Sequence, residues 1–125
     1  MMPHNTVSSL DEVAQFVEYV RECAARGRDG IWVNMRDKNR QFMLDFCYGL
    51  DDVIDIARRI RVEEYSHTSV EENSLAFVFG IEDRDYDVEI YMKLLAGKDG
   101  QRNAVVLSFH EAERPMNFPY RKKKG

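Results

Sequence analysis

Apolar and polar residues alternate most regularly between residues 86 and 110, YDVEIYMKLLAGKDGQRNAVVLSFH. Side chains of a β-strand point alternately to the two faces of its sheet, so this pattern predicts two strands joined by a glycine-rich turn. The apolar face of the first strand is expected to hold Val88, Ile90, Met92 and Leu94. The apolar face of the second is expected to hold Val105, Leu107 and Phe109.

The opposite face of the same two strands collects polar side chains. They are Glu89, Tyr91, Lys93, Ser108 and His110. A carboxylate, a hydroxyl, an ammonium and an imidazole can bind and cleave a phosphodiester, and the same groups also occur on any solvated sheet face. Their convergence depends on strand register, because a slip of one residue would turn Tyr91 and Lys93 towards the helices.

Helical signals dominate the first half of the chain. Ser9 and Glu12 form a capping-box pattern, and apolar residues then recur at helical spacing up to Gly27, which predicts a helix over residues 10–26. A short second helix is predicted before Gly49, with an apolar stripe of Phe42, Met43, Phe46 and Cys47. A third helix is predicted to be capped by Asp51 or Asp52, with outward arginines at 58, 59 and 61.

Three further segments have weaker patterns. Residues 31–33 fit either a short strand or an apolar loop, and residues 63–74 lack periodicity and are predicted to be a loop. The alternation over residues 75–81 predicts one more strand, and residues 111–119 are predicted to be an extended tail. The order predicts an α+β fold, with N-terminal helices packed on one face of a three- to four-stranded antiparallel sheet.

Length and charge restrict the organisation and the partners. Residues 1–120 are predicted to form a single globular domain, followed by a basic, disordered tail at 121–125. The net charge of −4 argues against a strong nucleic-acid binder, so any RNA-binding surface must be a local patch. No apolar run has the length of a membrane span and the start lacks a signal peptide, so a cytoplasmic protein with no membrane partner is expected.

The cysteines and histidines do not predict a metal or cofactor site. Cys23 and Cys47 fall inside predicted helices and are expected to be buried thiols in a reducing compartment. Histidines at positions 4, 67 and 110 lack the spacing of metal ligands. We therefore expect neither a metal nor another cofactor.

Three phrases together resemble the MqsR-type toxins of bacterial type II toxin–antitoxin systems and, more broadly, the RelE-like fold. They are VNMRDKNRQFMLDF, YGLDDVIDIARRIRVEEYS, and EIYMKLL followed by VVLSFHEAE, and they cover about residues 35–112. The resemblance implies a small ribonuclease that cleaves messenger RNA, with ribosome-bound messenger RNA as one candidate substrate. It also implies a cognate antitoxin protein that neutralises the toxin.

The resemblance assigns Tyr91 to the tyrosine of the family and Lys93 to the lysine two residues later. His110 stands where the terminal strand of the family carries a lysine. Cleavage of RNA without a metal requires a base for the 2′-hydroxyl, an acid for the 5′-oxygen and a cation for the charge on phosphorus. We predict that His110 is the acid or base, that Lys93 is the electrostatic stabiliser and that Tyr91 positions the substrate or donates a proton.

Further candidates surround these three residues. His67 is a candidate partner for His110 if the 63–74 segment folds over the sheet. The phosphates are predicted to be bound by Arg36, Lys38 and Arg40.

Other interpretations of the same residues remain open. The lysine and the glutamine of the family fall at Ser66 and near Val78, and the acidic body of the chain also favours a non-catalytic module that binds a protein partner. Lys93 could form an ordinary ion pair with Glu89. Trp32 is expected in the core rather than as a platform for stacking bases.

Overall fold

The computed structural model describes residues 5–71, 73–97 and 102–122. Within these ranges the helices are α1 (Leu10–Ala25), α2 (Asp37–Asp45) and α3 (Leu50–Arg58). The strands are β1 (Asn5–Thr6), β2 (Ile31–Val33), β3 (Tyr65–Glu71), β4 (Ser74–Asp83), β5 (Val88–Ala96) and β6 (Ala104–Glu111). They form one sheet in the order β1-β3-β4-β5-β6-β2.

Strands β3 to β6 form an antiparallel meander, and the two edge strands come from the N-terminal part of the chain. Strand β1 pairs antiparallel with β3, whereas β2 pairs parallel with β6. The helices pack on one face of the sheet, as the stacked rings of Phe16 in α1 and Phe77 in β4 illustrate. The α+β class is confirmed, with six strands in the described ranges instead of three or four.

Helix α1 follows its local signals closely. The Ser9 hydroxyl accepts a hydrogen bond from the Glu12 backbone N–H, and the Glu12 carboxylate accepts one from the Ser9 N–H. The helix ends at Ala25, shortly before Gly27 adopts a φ of 65°. The predicted span of 10–26 is therefore correct to within one residue at its end.

The other two helices begin earlier than their apolar stripes predict. Helix α2 begins at Asp37, among the polar residues 36–41 that precede the apolar stripe. Helix α3 is capped by Gly49 rather than by Asp51 or Asp52, and the Asp52 carboxylate accepts the Gly49 backbone N–H at 2.8 Å. The carboxylate expected to be the cap thus lies at the third helical position, where it completes the first turn.

The prediction of a loop over residues 63–74 is wrong, because residues 65–71 form β3. A bulge between Tyr65 and His67 breaks the two-residue period, so no alternation shows in the sequence. Polar residues of β3 are also buried, and hydrogen bonds within the protein replace those that these residues would form with water. The Thr68 hydroxyl, for example, lies 2.6 Å from the hydroxyl of Tyr65.

Strand β6 contains a second bulge, at Leu107, which corrects the predicted faces. Lys93 pairs with Ser108 while Leu94 pairs with Val106, so Leu107 has no partner on β5. The side facing the helices therefore holds Ala104, Val106 and Phe109 instead of Val105, Leu107 and Phe109. The bulge lets one strand present small apolar residues to the core at its start and polar residues to the outer face at its end.

Two expectations about buried residues are wrong. Trp32 is 70% exposed, because its neighbours Ile31 and Val33 point into the core and strand alternation turns Trp32 to the opposite face. Cys23 is buried in α1 as expected, but Cys47 is exposed and follows the end of α2 with a φ of 59°.

Candidate functional site

The sheet face that the helices leave uncovered, called here the outer face, carries the predicted polar residues in two adjacent rows. In the first row, Tyr91 of β5 lies between Gly80 of β4 and His110 of β6. The Tyr91 and His110 rings are stacked, with centroids 5.0 Å apart and planes 9° from parallel. Tyr91 and His110 therefore share the outer face, as the sequence predicts.

The environment of His110 favours a neutral imidazole with one free acceptor nitrogen. Its Nδ1 lies 2.9 Å from the Glu111 carbonyl oxygen. Because a carbonyl can only accept, Nδ1 carries the proton and Nε2 of the neutral ring is left as an acceptor. Burial lowers the pKa of His110, and the positive charges of Lys38, Arg36 and Lys93 lower it further. The hydrogen bond to the Glu111 carbonyl acts in the opposite direction and raises the pKa.

In the second row, Lys93 lies between Val78 of β4 and Ser108 of β6, and Val78 pairs in turn with His67 of β3. His67 thus reaches the outer face from within the sheet, not from a loop above it. Its Nδ1 lies 3.0 Å from the Ser66 hydroxyl. Burial lowers the pKa of His67, and the charge of Lys93 adds to this effect.

The ion pair of Lys93 differs from the expected one. Its Nζ donates to the Glu71 carboxylate at 2.8 Å, and no pair with Glu89 is present. The hydrogen bond from Lys93 lowers the pKa of Glu71. Because the lysine side chain is only 16% exposed, the ammonium is held in place on the outer face instead of moving freely in solvent.

Two of the three predicted phosphate-binding residues lie beside these rows. The Arg36 guanidinium donates to the Ser108 hydroxyl, and the Lys38 ammonium pairs with Glu113. Arg40 pairs with Asp37 at 3.3 Å and does not line the cavity described next.

A cavity of about 870 Å³ joins these groups. It lies at the upper end of the range of about 300–1,000 Å³ that is typical of small-molecule sites. Its lining includes Tyr91, His67 and His110, one acidic residue, Glu113, and four basic residues, namely Arg36, Lys38, Lys93 and Arg114. The acidic protein therefore has a local basic patch at this cavity. His67 and His110 lie on strands that β4 and β5 separate, so they do not form the adjacent pair that the sequence predicts.

Residues 112–121, called here the C-terminal strap, cross the outer face, and residues 113–119 of the strap form the second wall of the cavity. The strap begins where the Ala112 N–H donates to the Glu89 carbonyl at 2.8 Å. Farther along, the Tyr120 ring stacks on Tyr65 with centroids 5.9 Å apart, and its hydroxyl donates to the Ser8 carbonyl. The sequence predicted the extended tail but not its role, although the aromatic residues of FPY are a signal of packing.

Gly80 is the position on which the strap rests. A Cβ at this position would lie 2.7 Å from Cζ of Phe118, so only a glycine lets the ring approach the sheet this closely. The Arg121 guanidinium carbon lies 3.8 Å from the centroid of the same ring. Arg121, which was predicted to belong to a disordered basic tail, therefore packs on the Phe118 ring of the strap. Residues 123–125 of that predicted tail lie outside the described residues.

Asn39 is a supporting residue that the sequence did not reveal. Its side chain is fully buried, and its amide donates to the carbonyls of Asn34 at 2.8 Å and Leu107 at 3.0 Å. Its amide oxygen accepts the Phe109 N–H at 2.9 Å. Asn39 therefore ties α2 to the bulge of β6 and fixes the strand just before His110.

Residues 5–71, 73–97 and 102–122 lack two features. No group of three or more His, Cys, Asp or Glu side chains in these ranges could hold a metal ion. None of the helices in this part of the chain combines the length and the apolar character that a membrane crossing requires. The histidine at position 4 lies outside the described residues.

We expect the free energy of unfolding to fall as the pH drops from about 7.5 to about 5.5. Burial lowers the pKa of both His67 and His110 in the folded state, so the unfolded chain binds more protons below its imidazole pKa of about 6.5. The stability due to the neutral rings is fully present above that pKa and is lost as the pH falls. Urea unfolding at both pH values measures the difference.

The matched control for this pH effect is the double variant His67→Gln, His110→Gln, which cannot titrate at these positions. Its stability should fall less than that of the wild type over the same interval. An equal fall in both proteins would show that other groups cause the pH dependence.

Comparisons of the chain with protein-family models, curated proteins and solved structures gave no match.

Proposed function

We propose that this protein is an endoribonuclease that cleaves single-stranded RNA without a metal, and that messenger RNA is its substrate. The observation that carries the proposal is the joint placement of His110, Tyr91 and Lys93 on one wall of a cavity with four basic residues in its lining. Phosphates are polyanions that bind guanidinium and ammonium groups, so this cavity has the charge that an RNA backbone requires.

Arg36 and Lys38 would bind phosphates at the side of the cavity nearest α2. Lys93 would lie against the reacting phosphate, because it occupies the centre of the second row. A phosphate oxygen would then compete with Glu71 for the Lys93 ammonium, which the hydrogen bond of 2.8 Å now holds in one position. A positioned cation of this kind stabilises the charge that develops on the phosphorane.

The proposed reaction begins with the neutral imidazole of His110. Its Nε2 takes the proton of a 2′-hydroxyl, the 2′-oxygen attacks phosphorus, and the bond from phosphorus to the 5′-oxygen breaks. The leaving oxygen takes a proton from a donor on the same face, for which the Tyr91 hydroxyl is the candidate. His67 does not suit this step, because its lowered pKa leaves the ring neutral near pH 7. The products are a 2′,3′-cyclic phosphate and a 5′-hydroxyl. The lowered pKa of His110 suits a base, since the ring is neutral near pH 7.

The biological role that we propose is that of a toxin in a toxin–antitoxin pair. It rests on the resemblance of the three phrases between residues 35 and 112 to MqsR-type toxins. The cavity supports this role, because the three phrases include most of the residues that line it. These are Arg36 and Lys38 after β2, Tyr91 and Lys93 of β5, and Ser108 and His110 of β6. A cognate antitoxin would be the protein partner, and the cytoplasm, where messenger RNA is translated, would be the compartment.

The proposal is tested with purified full-length protein and end-labelled single-stranded RNA in the presence of a metal chelator. We expect cleavage that leaves 2′,3′-cyclic phosphate ends, and a DNA strand of the same sequence should stay intact because it lacks the 2′-hydroxyl. A second arm adds translating ribosomes. Intact RNA in both arms, without growth arrest on induced expression, would refute the proposal and favour a non-catalytic module that binds a protein.

A further inference from the structure

Trp32 is the sole tryptophan of the chain, and it is 70% exposed on the edge strand β2. The residues on either side of it, Ile31 and Val33, are 4% and 6% exposed and face the helices. The indole therefore stands on the outer face. An indole combines a large apolar ring with a polar N–H, so an exposed tryptophan is well suited to contact a partner.

The surroundings of Trp32 connect it to the cavity. Trp32 pairs with Val105 of β6, and Val105 pairs with Leu95 of β5, so an apolar row runs next to the row of Lys93 and Ser108. Along β6, Ser108 lies three positions after Val105, which is about 10 Å of strand. A single-stranded nucleic acid that places a phosphate at Ser108 can therefore place a neighbouring base above this row.

The same short segment of chain provides the indole and a cation. Beyond β2, the Asn34 N–H donates to the Val106 carbonyl, and Arg36 then reaches back to Ser108. Proteins that bind single-stranded nucleic acids combine a basic groove for the backbone with aromatic side chains on which bases stack. Residues 32–36 present both elements on one side of the cavity.

We propose that Trp32 is a stacking platform for the base of a nucleotide next to the one whose phosphate occupies the cavity. This inference rests on the proposed RNA substrate and adds a binding residue outside the catalytic cavity. The alternative occupant is a strand of a protein partner on the free edge of β2. The structure favours RNA, because a strand of three residues offers few edge hydrogen bonds and the apolar row lies beside Lys93 and Ser108, which line the basic cavity.

The test uses the fluorescence of Trp32, which reports on this position alone because the chain has no other tryptophan. The probe is a short single-stranded RNA with 2′-O-methyl groups, which the wild-type protein cannot cleave. We expect this RNA to quench the fluorescence of Trp32. The affinity for the same RNA with a fluorescent label should be about 5- to 150-fold weaker in Trp32→Ala than in the wild type and partly restored in Trp32→Phe.

The matched control is Leu44→Ala, which removes another exposed apolar side chain, 67% accessible, on α2. Its affinity for the RNA should equal that of the wild type. Unchanged fluorescence and an unchanged affinity of Trp32→Ala would overturn the inference, which is also the result expected if Trp32 contacts a protein. Cleavage of unmodified RNA by the wild type would then still support the proposed function. Quenching by the modified RNA, together with unmodified RNA that stays intact with and without ribosomes and no growth arrest, would support the stacking platform and refute the nuclease.

Discussion

Replacement of His110 by alanine should lower the rate of RNA cleavage by about 100- to 10,000-fold, which is the usual contribution of a general acid or base. The stability of the protein should change little, because the half-buried ring makes one hydrogen bond, to the adjacent Glu111 carbonyl, and one stacking contact, with Tyr91. The cleavage rate of end-labelled RNA and the midpoint of urea unfolding are the two measurements. Induced expression of the variant should no longer arrest growth.

Two further variants show whether the effect is specific to the imidazole. Glu111→Ala changes the next residue of β6, which is exposed, and should retain the wild-type rate. Tyr91→Phe keeps the ring that stacks on His110 and removes only the hydroxyl, so a slower rate in this variant would identify Tyr91 as the proton donor. A His110→Ala protein that cleaves RNA at the wild-type rate would refute the proposed role of the base.

Replacement of Asn39 by alanine should lower the free energy of unfolding by about 2–6 kcal/mol. The substitution leaves the Leu107 carbonyl and the Phe109 N–H without their partner in a buried place, and each such group costs about 1–3 kcal/mol. Urea unfolding measures the loss. Gln41→Ala, on the exposed side of the same helix, is the control and should change stability by less than about 0.5 kcal/mol.

The same substitution should also affect cleavage, because Asn39 holds the strand on both sides of Ser108. Under conditions where the variant is fully folded, we expect a lower rate than that of Gln41→Ala. A loss of stability no larger than in the control would show that water or a local shift satisfies the freed backbone groups.

Local sequence signals were sufficient for α1, β4, β5 and β6. The capping box at Ser9 and Glu12 and the alternation over residues 75–81 act within one element, so no distant contact is needed to recognise them. The convergence of Tyr91 and His110 was also within reach of the sequence, since the register of one hairpin decides it.

The parts that the sequence did not reveal depend on contacts between distant segments or on bulges. The bulge after Tyr65 removed the period that would have predicted β3, and the bulge at Leu107 moved Val105 to the outer face. The position of Trp32 follows from a parallel pairing with β6, which no local pattern encodes.

The predicted phosphate-binding set shows the same limit at the level of one helix. At 3.6 residues per turn, Lys38 and Arg40 point about 200° apart around α2. Lys38 therefore lines the cavity, whereas Arg40 pairs with Asp37. A cluster of basic residues in a sequence does not show which side chains lie on the same face of the helix until the position of the helix start is known.

The pairing of β2 with β6 has a consequence for the order in which the molecule assembles. Strands β3 to β6 join neighbours along the chain, but residues 31–33 must find residues 104–106, and closing so long a loop costs more entropy. We therefore expect the imidazoles to become ordered with the meander and the segment with Trp32 and Arg36 to dock afterwards. For the same reason we expect this segment to open at a lower free energy than the meander. Under mild destabilisation the protein would then lose its binding of a long RNA first, while His110, Tyr91 and Lys93 keep their positions.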